Sequence, residues 1–229
     1  MYMVTVISLG GSIVAPDSVD EIFLKDFVFL VREFLEQDKN RRFIFVVGGG
    51  GPARAWQKAY RNINKNGFDE DADWIGVMAT RLNAQLVRGI LREWCEDNVV
   101  IDPMSANFTG RVLVAAGWKP GFSSDYDAVL LAERFNADCV INLSNIERVY
   151  TDDPKKNPNA KPIDVISWEK FRALVGDEWS PGKNVPFDPI ASRYAANIGL
   201  KVICAAGKDL ENLKKILNNE SFLGTTIGG

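Results

Sequence analysis

Apolar runs alternate with amphipathic stretches along almost the whole chain. Val4-Thr5-Val6-Ile7-Ser8-Leu9 and Phe43-Ile44-Phe45-Val46-Val47 have the length and side chains of buried strands. Between them Leu24, Phe27, Val28, Val31, Phe34 and Leu35 recur at helical spacing. A longer helical pattern covers about residues 74–94, with Met78, Leu82, Leu86, Ile90 and Leu91 on one stripe. Val99-Val100-Ile101, Val112-Leu113-Val114, Cys139-Val140-Ile141-Asn142-Leu143 and Lys201-Val202-Ile203-Cys204 read as further strands. Asp125 reads as the cap of a helix carrying Val129, Leu130, Leu131 and Phe135, and another helix begins near Asp188. This rhythm predicts an α/β fold whose mostly parallel sheet is covered by helices on both faces. Residues 152–162, with Pro154, Pro158 and Pro162 among lysines and asparagines, break the rhythm and read as a surface loop.

Two of these strands run straight into glycines. The first meets Gly10-Gly11-Ser12, and the second meets Gly48-Gly49-Gly50-Gly51-Pro52-Ala53-Arg54. A glycine turn between strand and helix offers bare N–H groups to an anion, with no Cβ to block its approach. Either turn alone is compatible with plain chain geometry. Together they point to two anionic groups held side by side, as in phosphoryl transfer. Neither is a Walker A motif or a dinucleotide GxGxxG.

Composition narrows the chemistry. With 229 residues and 46% hydrophobic content, the chain can bury one full core, as one domain or as two fused lobes meeting near residue 120. A net charge of −3 and the absence of like-charge runs argue against nucleic acid. The tryptophans at 56, 74, 94, 118, 168 and 179 form no evident stacking ladder. Cys95, Cys139 and Cys204 form no CxxC pair, which fits a reducing cytoplasm. The first apolar run is too short for a membrane span, so a soluble cytoplasmic protein is expected. No histidine is present. That excludes histidine-dependent nucleophilic hydrolysis, histidine-ligated zinc and histidine general bases. Carboxylates, lysines, arginines, hydroxyls and backbone dipoles remain, which is the inventory phosphoryl transfer uses.

Arg54 is expected in the first turn of the helix behind the second glycine loop, facing the same anion; a solvated helix arginine is the alternative. Gly117-Trp118-Lys119-Pro120-Gly121-Phe122-Ser123-Ser124-Asp125 is a third turn-rich loop opening a helix, with two hydroxyls able to donate to an anion. Asp188 before Pro189 has the sequence of an ordinary helix start.

In order along the chain, Leu9-Gly10-Gly11-Ser12, the Val46-to-Arg54 glycine run, Asp73-Trp74-Ile75-Gly76 and Gly121-Phe122-Ser123-Ser124-Asp125 resemble the amino acid kinase superfamily. Val149-Tyr150-Thr151-Asp152-Asp153-Pro154-Lys155-Lys156, Asp188-Pro189-Ile190-Ala191 and the closing Gly224-Thr225-Thr226-Ile227 extend the likeness, which is greatest to the archaeal-type uridylate (UMP) kinases. The resemblance implies a three-layer αβα sandwich as a single domain over residues 1–229. The acceptor would sit in the half of about 1–120, and ATP in the half of about 121–229. It implies that Gly10, Gly11 and Ser12 line the transfer path, with Ser12 toward ATP. Gly49 would approach UMP, with Gly50 and Arg54 nearer the phosphates. It further implies that Asp73 accepts from the acceptor's ribose and that Trp118, Lys119, Pro120, Gly121, Phe122, Ser123 and Ser124 wrap the acceptor. Ser144, Asn145, Tyr150 and Asp153 would hold ATP, Asp188 would organise the transfer site, and Mg²⁺ would ride on the nucleotide phosphates. No protein metal ligand is implied, and the assembly would be a hexamer built from dimers.

Three positions depart from the family pattern. Ser8 stands where many members carry a lysine, and Glu147-Arg148 replaces an Asp-Gly pair. Ser180-Pro181-Gly182-Lys183-Asn184 replaces a run of small residues, with Lys183 the candidate for the missing cation. Two other readings stay open. One is a kinase of the same superfamily with a different small acceptor, although the isopentenyl phosphate kinases use a histidine that this chain lacks. The other is a non-catalytic nucleotide or oxyanion binder resembling the molybdenum storage proteins.

Overall fold

The structure, a computed structural model, describes residues 3–176 and 185–228. Lys183 and the 180–184 segment lie outside them. In chain order the elements are β1 (Met3–Leu9), α1 (Gly11–Val14), α2 (Glu21–Gln37), β2 (Arg41–Val47), α3 (Gly50–Ile63) and α4 (Asp69–Ile90). They continue with β3 (Val112–Ala115), α5 (Ser124–Arg134), β4 (Cys139–Ser144), β5 (Val149–Tyr150), β6 (Pro162–Ile163) and β7 (Val165–Ile166). The last are α6 (Trp168–Val175), α7 (Pro189–Asn197), β8 (Lys201–Ala206), α8 (Leu210–Leu217) and β9 (Thr225–Ile227).

Seven strands form one sheet in the order β3-β2-β1-β4-β8-β9-β7. All neighbours run parallel except β8 and β9, which pair antiparallel. Because successive strand side chains point to opposite faces, each central strand feeds two cores. Ile7, Leu9, Phe43 and Phe45 pack with Phe27, Val31 and Leu35 of α2, Val87 of α4 and Leu213 of α8. Val6, Ile44, Val46 and Val140 pack on the other face with Val129 and Leu131 of α5, Phe171 of α6 and Ala195 of α7. The result is the expected αβα sandwich. The chain turns outward from β1 to β2 and β3, then crosses to β4 and β8. The strand order therefore reverses between β1 and β4, where ligands of open parallel sheets bind at the strands' carboxyl ends.

Three local expectations need correction. Residues 99–101 form no strand: Val100 makes a single bridge to Ala115, and Ile101 is exposed as the chain turns toward Pro103. The long helix begins at Asp69 and ends at Ile90, ahead of Trp94. Its apolar stripe also divides, since Leu91 just beyond it and Val77, Ala84 and Val87 are buried while Met78, Leu82, Leu86 and Ile90 face outward. Finally, Asp125 is not a cap. Ser123 holds that position, its hydroxyl accepting the Tyr126 N–H at 3.2 Å, so Asp125 lies inside the first turn with its carboxylate free for other contacts.

Candidate active site

The two glycine loops lie backbone against backbone at the strand-order reversal. Gly48 N–H donates to the Leu9 carbonyl at 3.0 Å, and Gly10 N–H donates to the Leu143 carbonyl at 2.9 Å. A Cβ at Gly11 would stand 2.0 Å from the Gly50 nitrogen, and one at Gly50 would stand 2.3 Å from the Gly11 oxygen. Gly50 also adopts φ +64°, which glycine tolerates without strain. Side chains at these positions would force the loops apart. Of the N–H groups opening α3, that of Gly51 donates to the Ala15 carbonyl at 2.8 Å, and Pro52 has none. Those of Gly11, Ser12 and Gly50 have no acceptor among the described residues, which leaves them as donors on this shared ridge. Ser144, at the end of β4, lies beside Gly10.

Asn83, buried on α4, ties the second loop down by donating to the Gly48 and Gly49 carbonyls at 2.9 and 3.1 Å. Sequence reasoning did not find it, because a single polar residue inside a helical pattern carries no local sign of its partner. Arg54 sits in the second turn of α3 rather than the first. Its exposed guanidinium donates to the Pro16 carbonyl at 3.0 Å, beside the cradle rather than across it.

At the carboxyl end of β1 a chain of polar contacts crosses between helices. The buried Ser8 hydroxyl donates to Asp125 at 3.1 Å, and the other Asp125 oxygen accepts the Asp188 N–H at 3.2 Å. Asp188 caps α7 by accepting the Ala191 N–H at 2.7 Å, and it also bonds the Ser123 hydroxyl. Burial, then the charge of Asp188, pushes the Asp125 carboxyl up to about 6, against the Asp188 N–H and Ser8. Burial also raises Asp188, opposed by the N–H groups of Ala191 and Ile190 and by Ser123. Among the described residues no lysine or arginine forms an ion pair with either carboxylate. Asp125 was missed as a site residue because Ser-Ser-Asp offers three good caps, and the helix uses the first.

The third loop, residues 117–122, is stitched down on both sides. Gly117 N–H donates to the Thr80 hydroxyl at 2.8 Å, and Arg81 of α4 donates to the Trp118 carbonyl at 3.0 Å. Trp118 N–H donates to Asp127 of α5 at 3.1 Å. Asp73 accepts the Gly121 N–H, and its carboxyl is raised chiefly by burial. The Trp118 and Phe122 rings lie 5.1 Å apart, with the Lys119 ammonium 3.9 Å from the Trp118 ring centre. Gly49 faces Gly76 and Thr80 of α4, so this loop and the cradle share one helix as a wall.

The structure thus brings together Gly10, Gly11, Gly49, Gly50 and Ser144 at the cradle, Ser123 with Asp188, and Asp73 with the 118–122 loop that includes Pro120. Ser12 lies in α1, and Ser124 opens α5. Asn145 is exposed, and Tyr150 lies on the β5–β6 ribbon. Asp153 lies on the exposed loop beyond, ion-paired with Lys156 at 3.7 Å.

The sequence model of the amino acid kinase family matches residues 3–206. The chain is 34% identical to a uridylate kinase of Methanospirillum hungatei, over 97% of this chain and 93% of that one. It is 31% identical to a uridylate kinase of Pyrococcus abyssi, over 97% and 98%. The crystal structure of a uridylate kinase from Archaeoglobus fulgidus superposes with a TM-score of 0.82 at 32% identity, covering 98% of this chain and 99% of that one. A UMP kinase from Bacillus anthracis shares the fold, with a TM-score of 0.77 at 19% identity, over 99% and 96%.

Proposed function

Because the chain belongs to the amino acid kinase family, we propose that it transfers the γ-phosphoryl group of ATP to UMP, yielding ADP and UDP. The observation that carries this reading is the contact between the two glycine loops, too close at Gly11 and Gly50 for any Cβ. Such a ridge suits two phosphate groups brought end to end. An oxygen of the UMP phosphate attacks the γ-phosphorus, and the bond to the β,γ-bridging oxygen breaks with ADP leaving. A phosphate monoester is already largely ionised near neutral pH, so no residue need abstract a proton. A chain without histidine can therefore perform this chemistry through positioning and charge stabilisation alone.

In this reading Gly49, Asp73 and residues 118–124 hold UMP, Arg54 leaves the Pro16 carbonyl to meet phosphate oxygens, and Asp188 orients the transfer site. Ser12, Gly50, Ser144, Asn145, Tyr150 and Asp153 serve ATP. Asp125 and Asp188 are hard oxygen donors beside the cradle, which suits Mg²⁺ held mainly by phosphates and water. That ion would supply charge neutralisation where Ser8 replaces a cation. The setting would be cytoplasmic pyrimidine nucleotide synthesis, by a hexamer whose subunits meet along the outward stripe of α4. Among the described residues no helix is long and apolar enough to cross a membrane.

ADP release measured with ATP, Mg²⁺ and each nucleoside monophosphate in turn tests the reading. ADP should form at a substantial rate only with an acceptor present, and fastest with UMP. Preference for another acceptor would reassign the substrate, and ATP binding without acceptor-dependent ADP would make the protein a nucleotide binder.

A further inference from the structure

Asp127 is fully buried on α5, two residues beyond Asp125. One carboxyl oxygen accepts the Trp118 N–H at 3.1 Å; the other has no hydrogen-bond partner among the described residues. The charges that act on it are those of Asp125 and Asp102, both carboxylates. A carboxyl buried with half its acceptor capacity unused works against folding, and an apolar side chain would serve a helix–sheet contact better. Its one bond among the described residues, however, goes to the 117–122 loop, which the proposed function reads as the acceptor wall. The loop's other side-chain anchors, Asp73, Thr80 and Arg81, all come from α4. Asp127 is the anchor from α5, the helix that carries Asp125 and packs beside Asp188. The Trp118, Phe122 and Tyr126 rings continue the same link, at successive centroid spacings of 5.1 and 5.0 Å.

We propose that Asp127 is a positioning residue for the acceptor. By holding the Trp118 peptide it sets the 117–122 loop against α5, so that the Trp118–Phe122 face and Asp73 meet the acceptor in register with the Asp125–Asp188 pair. The proposal rests on the reading of that loop as the UMP-binding wall. The orphaned oxygen is then a cost to stability retained for substrate binding, a trade found where function conflicts with folding.

The test is Asp127→Ala beside Asp127→Asn, whose side-chain oxygen can accept the same N–H. At pH 8, where Asp127 is ionised, Asp127→Ala should melt no lower than the parent, yet raise KM for UMP by roughly tenfold, the size expected for one lost buried hydrogen bond. KM for ATP should stay within about twofold and kcat within about threefold, while amide hydrogen exchange across residues 117–122 accelerates roughly tenfold. Asp127→Asn should return both KM for UMP and loop exchange to within about threefold of the parent. An unchanged KM for UMP, an equal rise in both KM values, or an Asn variant as impaired as the Ala variant would overturn the proposal. If the parent makes no ADP with UMP, the acceptor assignment fails and loop exchange decides the anchor. Acceleration in the Ala variant alone supports it, and identical exchange in all three proteins sinks it.

Discussion

Asp188 shows how one carboxylate can satisfy a local rule and make a tertiary contact at once. Its sequence context is a helix start, and it does cap α7, so nothing local marks it out. What distinguishes it is tertiary, since its backbone N–H meets Asp125 and its side chain meets Ser123. Asn also caps helices well, so Asp188→Asn should fold normally while turnover falls about 100-fold or more, the scale of losing one preorganised charge at a transfer site. Arg54 is exposed and, among the described residues, bonded only to a loop carbonyl, so Arg54→Ala should melt with the parent while kcat/KM for UMP falls by roughly 100-fold. Undiminished turnover in either variant removes that residue from the mechanism. Asp127 gives a pH test of its own, because burial pushes its carboxyl up to about 7 from an ordinary 3.8. A carboxyl raised in the folded state favours folding at low pH, and this contribution is lost as pH rises through the folded value. Between pH 5 and pH 8 the parent should therefore lose on the order of 3 kcal/mol relative to Asp127→Asn. Parallel melting curves at the two pH values would show that Asp127 is not held protonated.

At the scale of elements, what could be read from the chain is what depends on near neighbours. The strands at residues 4–9 and 43–47 are apolar on both faces because the sheet is covered on both, and such runs need no partner to be recognised. The glycine loops were legible for the same reason, since their type and their place after a strand define the turn. Their mutual contact was inferred only from their number, and it depends on β1 and β2 pairing in register from Met3 with Arg41 to Leu9 with Val47. Residues 99–101 misled because three apolar residues satisfy a strand pattern without enough length to pair beyond one bridge. Thr80, Arg81 and Asn83 escaped notice because their partners lie 34 to 37 residues away. A helix period shows which face a residue occupies, not which loop will fold onto that face. The anchoring of the 117–122 loop is therefore a property of the α4–β3–α5 arrangement that no single segment encodes.

At the scale of the whole molecule, α4 has two distinct faces. Its inner face holds the glycine loop through Asn83 and the 117–122 loop through Thr80. Its outer face carries Trp74, Met78, Leu82, Leu86 and Ile90, between 37% and 70% exposed and spaced four residues apart. An apolar row of that spacing is a packing ridge, which can interdigitate with the same ridge on a second copy. A row this long is more than a monomeric protein usually leaves in water, and the hexamer proposed above would cover it. Leu82 lies at its centre and is 70% exposed, so Leu82→Glu should leave the isolated fold intact while placing like charges against each other across a two-fold contact. Sedimentation should give the parent a mass near a hexamer of the 25.4 kDa chain and the variant a smaller one. UMP-dependent turnover should fall with the mass, because the helix freed from its partner also holds both loops of the site. A parent that sediments as a monomer would leave the stripe without a role in self-association. A smaller variant with full activity would mean that the two faces of α4 work independently.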